Sequence, residues 1–258
     1  MATPQREQQP ILNLFEFNLP AVLTRQLWER FDAMRGGLLS DEALLKLARL
    51  QPERALQHGA YQLLLQNDVV YVWVASDVIN RLRRHHRKLK GRRNIRIDDL
   101  RFRCLLMHRN WAAVADQDLL ISHYKSQAQA KWNGAGFGPK DVGRGRDGTE
   151  PSWFDRHYPI NSEYPCDQIE DEMTVGALAE ALKSQLPFTF RYELFPKSEI
   201  SRTIHLKGVP RKARALIRSL VNALGPEWQS TIFRSHIILY KERRPYQYGE
   251  TILANAPE

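Results

Sequence analysis

The stretch from Asp68 to Arg96 constrains this chain more than any other. Val69, Val70, Tyr71, Val72, Trp73 and Val74 form an unbroken apolar run of strand length, suited to burial on both faces at the centre of a sheet. Between Val78 and Ile97, directly behind it, stand Arg81, Arg83, Arg84, Arg87, Lys88, Lys90, Arg92, Arg93 and Arg96 with no acidic residue among them. Ser76 is placed to cap a helix that carries these cations, with Val78, Leu82 and Leu89 as a narrow apolar stripe. The chain has 38 Lys and Arg against 29 Asp and Glu, so without these nine the balance is 29 to 29. One segment, about residues 76–97, carries the whole net charge.

A solvated helix commonly mixes signs for pairing between positions i and i+4. This one repels itself until a polyanion neutralises it, and every phosphate it neutralises releases counterions and strengthens binding. Arg outnumbers Lys, which suits bidentate contact with phosphate. Such a helix fits the major groove of B-DNA or a distorted groove of an RNA hairpin, and both targets stay open. A second basic cluster follows near the C-terminus. Arg211, Lys212, Arg214 and Arg218 share a helix, and Arg234, Lys241, Arg243 and Arg244 lie in or after the next strand. Two separated patches suggest a ligand clasped between lobes.

The rest of the chain reads as α+β. A strand over Ile11–Asn18 leads into a helix over Pro20–Arg35, and Ser40 caps a second helix, Asp41–Leu50. From Trp132 to Tyr158 the glycines at 134, 136, 138, 143, 145 and 148 predict a long basic loop or linker outside the core. An acidic patch over 163–172 precedes a helix over Thr174–Gln185 and a strand over Phe188–Phe195. A strand at Thr203–Lys207, a helix at Pro210–Leu224 and a strand at Thr231–Lys241 then make half of a ferredoxin-like unit. The expectation is two ferredoxin-like lobes, 1–131 with the basic helical insertion and 159–258, joined by 132–158.

Several chemistries are disfavoured. No glycine pattern for nucleotide phosphates occurs between a strand and a helix, and neither a metal site nor a cofactor is expected. Cys104 and Cys166 are too few for a disulfide framework, the N-terminus has no apolar leader, and no apolar stretch has the ~20 residues a bilayer span needs. A soluble cytoplasmic protein with no membrane partner is expected. His85 and His86 sit among cations that depress their pKa, which favours the neutral ring a general base requires.

The first strand leading into its helix, the basic helical insertion and a C-terminal strand–helix–strand ending in Arg243–Arg244 together resemble the RAMP superfamily of CRISPR-associated RNA-binding proteins. Within it the chain is most similar to the repeat-cleaving endoribonucleases of the divergent type IV form. It departs from that family in having only Gly249 where a glycine-rich loop closes the chain, and no histidine in or after the first helix. The resemblance implies a metal-independent cut of CRISPR precursor RNA at a repeat hairpin. Attack by a ribose 2′-hydroxyl would leave a 2′,3′-cyclic phosphate, and the protein would stay bound to the guide RNA, with other effector subunits as partners. On that reading Arg25, Arg30 and Arg244 act at the scissile phosphate. Arg81, Arg83, Arg84, Arg87, Lys88, Lys90, Arg92, Arg93, Arg211, Arg214, Arg218 and Arg243 hold the RNA. The competing expectation is a non-catalytic DNA-binding accessory protein of a plasmid or mobile element.

Overall fold

The computed structural model describes residues 17–50, 57–112, 115–138 and 143–255. The first lobe opens with α1 (Leu19–Asp32), capped by the Asn18 carboxamide, whose Oδ1 accepts the Ala21 N–H at 3.0 Å. There follow β1 (Gly37–Leu38), α2 (Asp41–Leu50), β2 (Gly59–Leu65), β3 (Asp68–Ala75), α3 (Val78–Lys90), β4 (Leu100–Leu106), α4 (Arg109–Ala112) and α5 (Gln117–Ser126). Ser40 caps α2 as expected, its Oγ accepting from Ala43 N, but α3 is capped by Asp77 and not by Ser76. The sheet order is β1-β4-β2-β3, antiparallel throughout, and Gln66 and Asn67 turn the β2–β3 hairpin with positive φ.

One face of this sheet packs on α1 and α5 through Leu27, Phe31, Leu120 and Tyr124. The other takes Val78, Leu82 and Leu89 of α3, each worth about 1.5–3 kcal/mol on full burial. Trp132, Phe137 and Phe154 belong to this second cluster, so the glycine-rich segment is a core-forming wrap and not an external linker. Its glycines allow tight turns, with positive φ at Gly134, Gly136 and Gly143, while its aromatics supply the burial. Ala130 N and Trp132 N bond to the carbonyls of Val69 and Val70, and the Asn133 carboxamide closes both polar groups of Val72. β3 is therefore a sheet edge that this segment covers.

The remaining elements are α6 (Trp153–His157), β5 (Glu172–Thr174), α7 (Val175–Gln185), β6 (Thr189–Tyr192), α8 (Lys197–Ile200), β7 (Thr203–His205), α9 (Ala213–Leu224), β8 (Gln229–Phe233), β9 (His236–Tyr240) and β10 (Gly249–Leu253). A second sheet has the order β10-β8-β9-β6, with only β6 and β9 parallel, and α7 and α9 cover it.

The α+β class holds, but the sheets are not those expected of two ferredoxin-like lobes. The first sheet carries helices on both faces, α1 and α5 on one and α3 on the other, where a ferredoxin-like sheet has them on one, and residues 11–16 of the expected first strand lie outside the described residues. In the second lobe β7 pairs with β5 in a separate ribbon, and the expected strand Thr231–Lys241 folds back at Arg234–Ser235 into the hairpin β8–β9.

The lobes meet at the C-terminal end of α3. Asn161 N bonds to Gly91 O, Arg93 N to Pro159 O, and Ile160 N to Arg234 O. A Cβ on Gly91 would lie 2.4 Å from Pro187 Cγ and 2.9 Å from the Phe188 ring, so this approach requires glycine. No helix among the described residues is long and apolar enough to cross a membrane.

Candidate active-site pocket

Tyr61 on β2 and Tyr71 on β3 are diagonal neighbours on one sheet face, since Tyr61 pairs with Trp73 and Tyr71 with Leu63; their rings are 6.1 Å apart. α3 crosses that face and brings Arg81 and His85, one turn apart, to the same place. His85 Nε2 lies 2.8 Å from Tyr61 Oη, and the imidazole stacks on Phe137 while its edge meets Tyr71. A pocket of about 750 Å³ opens beside them, walled by Tyr71, Trp73, Arg81, Trp153 and the glycines 134–138. Gly138 is needed here, because a Cβ would sit 2.8 Å from Tyr71 Oη.

Tyr71 Oη and Arg81 Nε are buried here without a hydrogen bond of good geometry, although Arg81 and the two phenols are close enough to interact. Leaving such groups unsatisfied costs about 1–3 kcal/mol each, a cost that an arriving oxygen-rich ligand removes. The electrostatics fix the resting protonation. Burial, reinforced by Arg81 and Lys88, lowers His85 to about 3, so the ring is neutral. Burial also raises both phenols, with Arg81 working against it at each. Tyr61 and His85 thus form a neutral proton-sharing pair beside a fixed guanidinium, a set that can bind a phosphate and move a proton.

Nucleases commonly use a divalent cation held by carboxylates. This donor set does not fit one: it is two phenols, an imidazole and a guanidinium, and no three His, Cys, Asp or Glu converge among the described residues.

The expected nucleic-acid ligands are dispersed. Arg81 lines the pocket, and Arg83 and Arg84 stand exposed on α3. The others turn inward or sideways. Arg87 donates to the carbonyls of Ser184 and Leu186, Lys88 to that of Phe137, Lys90 to Asp41 and Arg93 to Ser162 Oγ. Arg92 is buried against Asp155 at 2.8 Å. In the second lobe Arg211 pairs with Asp171, and Arg214 with Glu163 and Glu250, so the acidic patch neutralises much of the second basic cluster from within the chain. Arg218 is half-buried on α9 and Arg243 exposed. Arg25 and Arg30 are exposed on α1, whereas Arg244 lies in the second lobe with its guanidinium 5.2 Å from the Tyr246 ring.

Fold and site together place a guanidinium, two phenols and an imidazole around a pocket on a small antiparallel sheet crossed by a helix. Residues 62–171 match the model of the Eco29kI GIY-YIG domain, whose relatives are restriction-endonuclease-like nucleases. No curated protein matches the chain. The match begins one residue after Tyr61 on β2 and takes in Tyr71, Arg81 and His85.

This match overturns the resemblance to the CRISPR repeat endoribonucleases, and with it the RNA-processing function. The matched segment contains the basic helix on which the resemblance leaned. Tyr61 and Tyr71 escaped the sequence reading. Tyr71 was absorbed into an apolar run, and the signal that could have found them is two strand tyrosines across a hairpin followed by Arg81 and His85 at helical spacing.

Proposed function

We propose that the chain is a nuclease of the GIY-YIG type that cleaves DNA at the pocket walled by Tyr71 and Arg81, with the buried Tyr61–His85 pair behind it. The observation that carries this reading is the convergence of those four side chains, from three elements, in and immediately beside the matched segment. Arg81 and Tyr71 Oη bind the phosphate; a water attacks phosphorus as its proton passes to Tyr61 Oη and the phenol proton to neutral His85 Nε2, while the P–O bond to the departing strand breaks and its oxygen takes a proton from solvent. DNA lacks the 2′-hydroxyl, so the cyclic-phosphate route has no place here. Incubation with duplex DNA, with magnesium present and absent, tests the proposal. Y61F and H85A should each lose at least about 100-fold in cleavage, the scale of general acid–base catalysis, and unchanged cleavage in Y61F would refute the assignment.

A second reading, DNA binding without cleavage, is favoured by the carboxylate-free pocket and by Trp73, which stacks on Tyr71. It predicts tight duplex binding with no nicking under either condition.

A further inference from the structure

A second cavity, of about 400 Å³, lies between the lobes, where the C-terminal end of α3 faces residues 183–190. Arg87, Lys88, Arg92, Arg146 and Lys183 line it, and no carboxylate does. Arg81, His85, Lys88 and Arg92 follow one another at helical spacing, so the stripe that enters the first pocket at one end enters this cleft at the other.

The cations here are under-compensated. Asp155, behind the wall, already receives Arg92 Nη1, Arg146 Nη2 and Ser152 Oγ, each at 2.8 Å. Arg87 donates to the carbonyls of Ser184 and Leu186, Lys88 donates to that of Phe137 with its ammonium over the Phe137 and Phe154 rings, and Lys183 lies over the Tyr192 ring, so none of the three has a carboxylate in hydrogen-bond contact. Arg92 Nε is buried with no partner, although the Arg92 side chain is only 2 % exposed. Burial, followed by the repulsion of Arg92, lowers the Lys88 ammonium to about 7. Desolvated like charges of this kind are stabilised by an incoming anion that takes their unused donors.

We infer that this interlobe cleft is a binding site for a phosphate group, with the Lys88 and Lys183 ammoniums and the Arg92 guanidinium as its donors. A free phosphorylated small molecule and the backbone of a bound DNA strand offer the same group. The inference stands whether or not the first pocket cleaves DNA.

Titration calorimetry of the full chain with orthophosphate, against sodium chloride at matched ionic strength, tests it. Saturable binding is expected in the wild type and in R81A, which silences the other phosphate-seeking guanidinium. K88M and K183A should each weaken it at least tenfold. Lys183 is an exposed side chain, so K183A keeps the test valid if K88M fails to fold. Absence of saturable binding in the wild type, or wild-type affinity in folded K183A, would overturn the proposal. In R81A, saturating orthophosphate that weakens binding of a duplex oligonucleotide assigns the cleft to the strand, and unchanged binding assigns it to a small ligand.

Discussion

Replacing Asp155 by alanine should be among the most damaging single changes in this chain. The carboxylate is 1 % exposed and accepts from Arg92, Arg146 and Ser152. Its loss strands the Arg92 guanidinium, itself buried, with the carbonyls of Tyr158 and Arg234 and the face of the Phe154 ring but no countercharge in contact. Breaking a buried pair from one side costs about 3–5 kcal/mol, because the surviving charge is left without compensation. In a chain of this size that is a fall in melting temperature of roughly 6–20 °C, at about 2–4 °C per kcal/mol. Scanning calorimetry or urea unfolding at pH 7 reads it whole. Burial pushes the Asp155 carboxyl upward, but Arg92, Ser152 and Arg146 outweigh it and hold it below the ordinary carboxylate value. A folded pKa below the unfolded one gives stability that is complete above the ordinary value and lost only as pH falls through the depressed one. The double variant R92M/D155L should recover most of the loss, since well-packed apolar residues replace such pairs at little cost. An Asp155→Ala protein within about 1 kcal/mol of wild type would refute the reasoning.

Two further outcomes are expected. Reversing the exposed pair Arg83 and Arg84 to glutamate should weaken duplex DNA binding at least tenfold at moderate salt and flatten the dependence of log affinity on log salt by about 0.9 per lost phosphate contact, read by fluorescence anisotropy. His85 falls from 6.5 to about 3 on folding, so the unfolded chain binds the extra proton between these values. Stability should therefore decline below pH 6.5 by about 1.4 kcal/mol per pH unit from this residue. H85F should lose that slope in urea titrations at pH 7 and pH 5, and an equal slope in both proteins would show that His85 does not titrate on unfolding.

Much of the local structure was legible because short-range patterns settle it. The apolar run at Val69–Val74 is a strand, the segment behind it is a helix, and Ala213–Leu224 shows its buried face in every third or fourth residue. What failed depended on distant partners. Nothing in Arg81–Arg96 announces that Asp155 will bury Arg92, or that Phe137 will offer Lys88 a carbonyl, and so cations that read as a continuous ligand-facing surface divide into exposed and interior ones. The glycine count at 134–148 hid Trp132, Phe137 and Phe154, whose burial rests on β3 lying alongside. The hairpin at Arg234–Ser235 was invisible because apolar residues continue on both sides of it. The site was half visible: Arg81 and His85 drew notice through charge, and the tyrosines drew none.

Since α3 presents Arg81 to one cavity and Lys88 to another, the helix behaves as a rigid shaft running through the protein. A rotation or slide of that shaft by one residue would misalign the tyrosine pocket and unlock the lobes at Gly91 in a single movement, so ligand bound at either end has a mechanical route to the other.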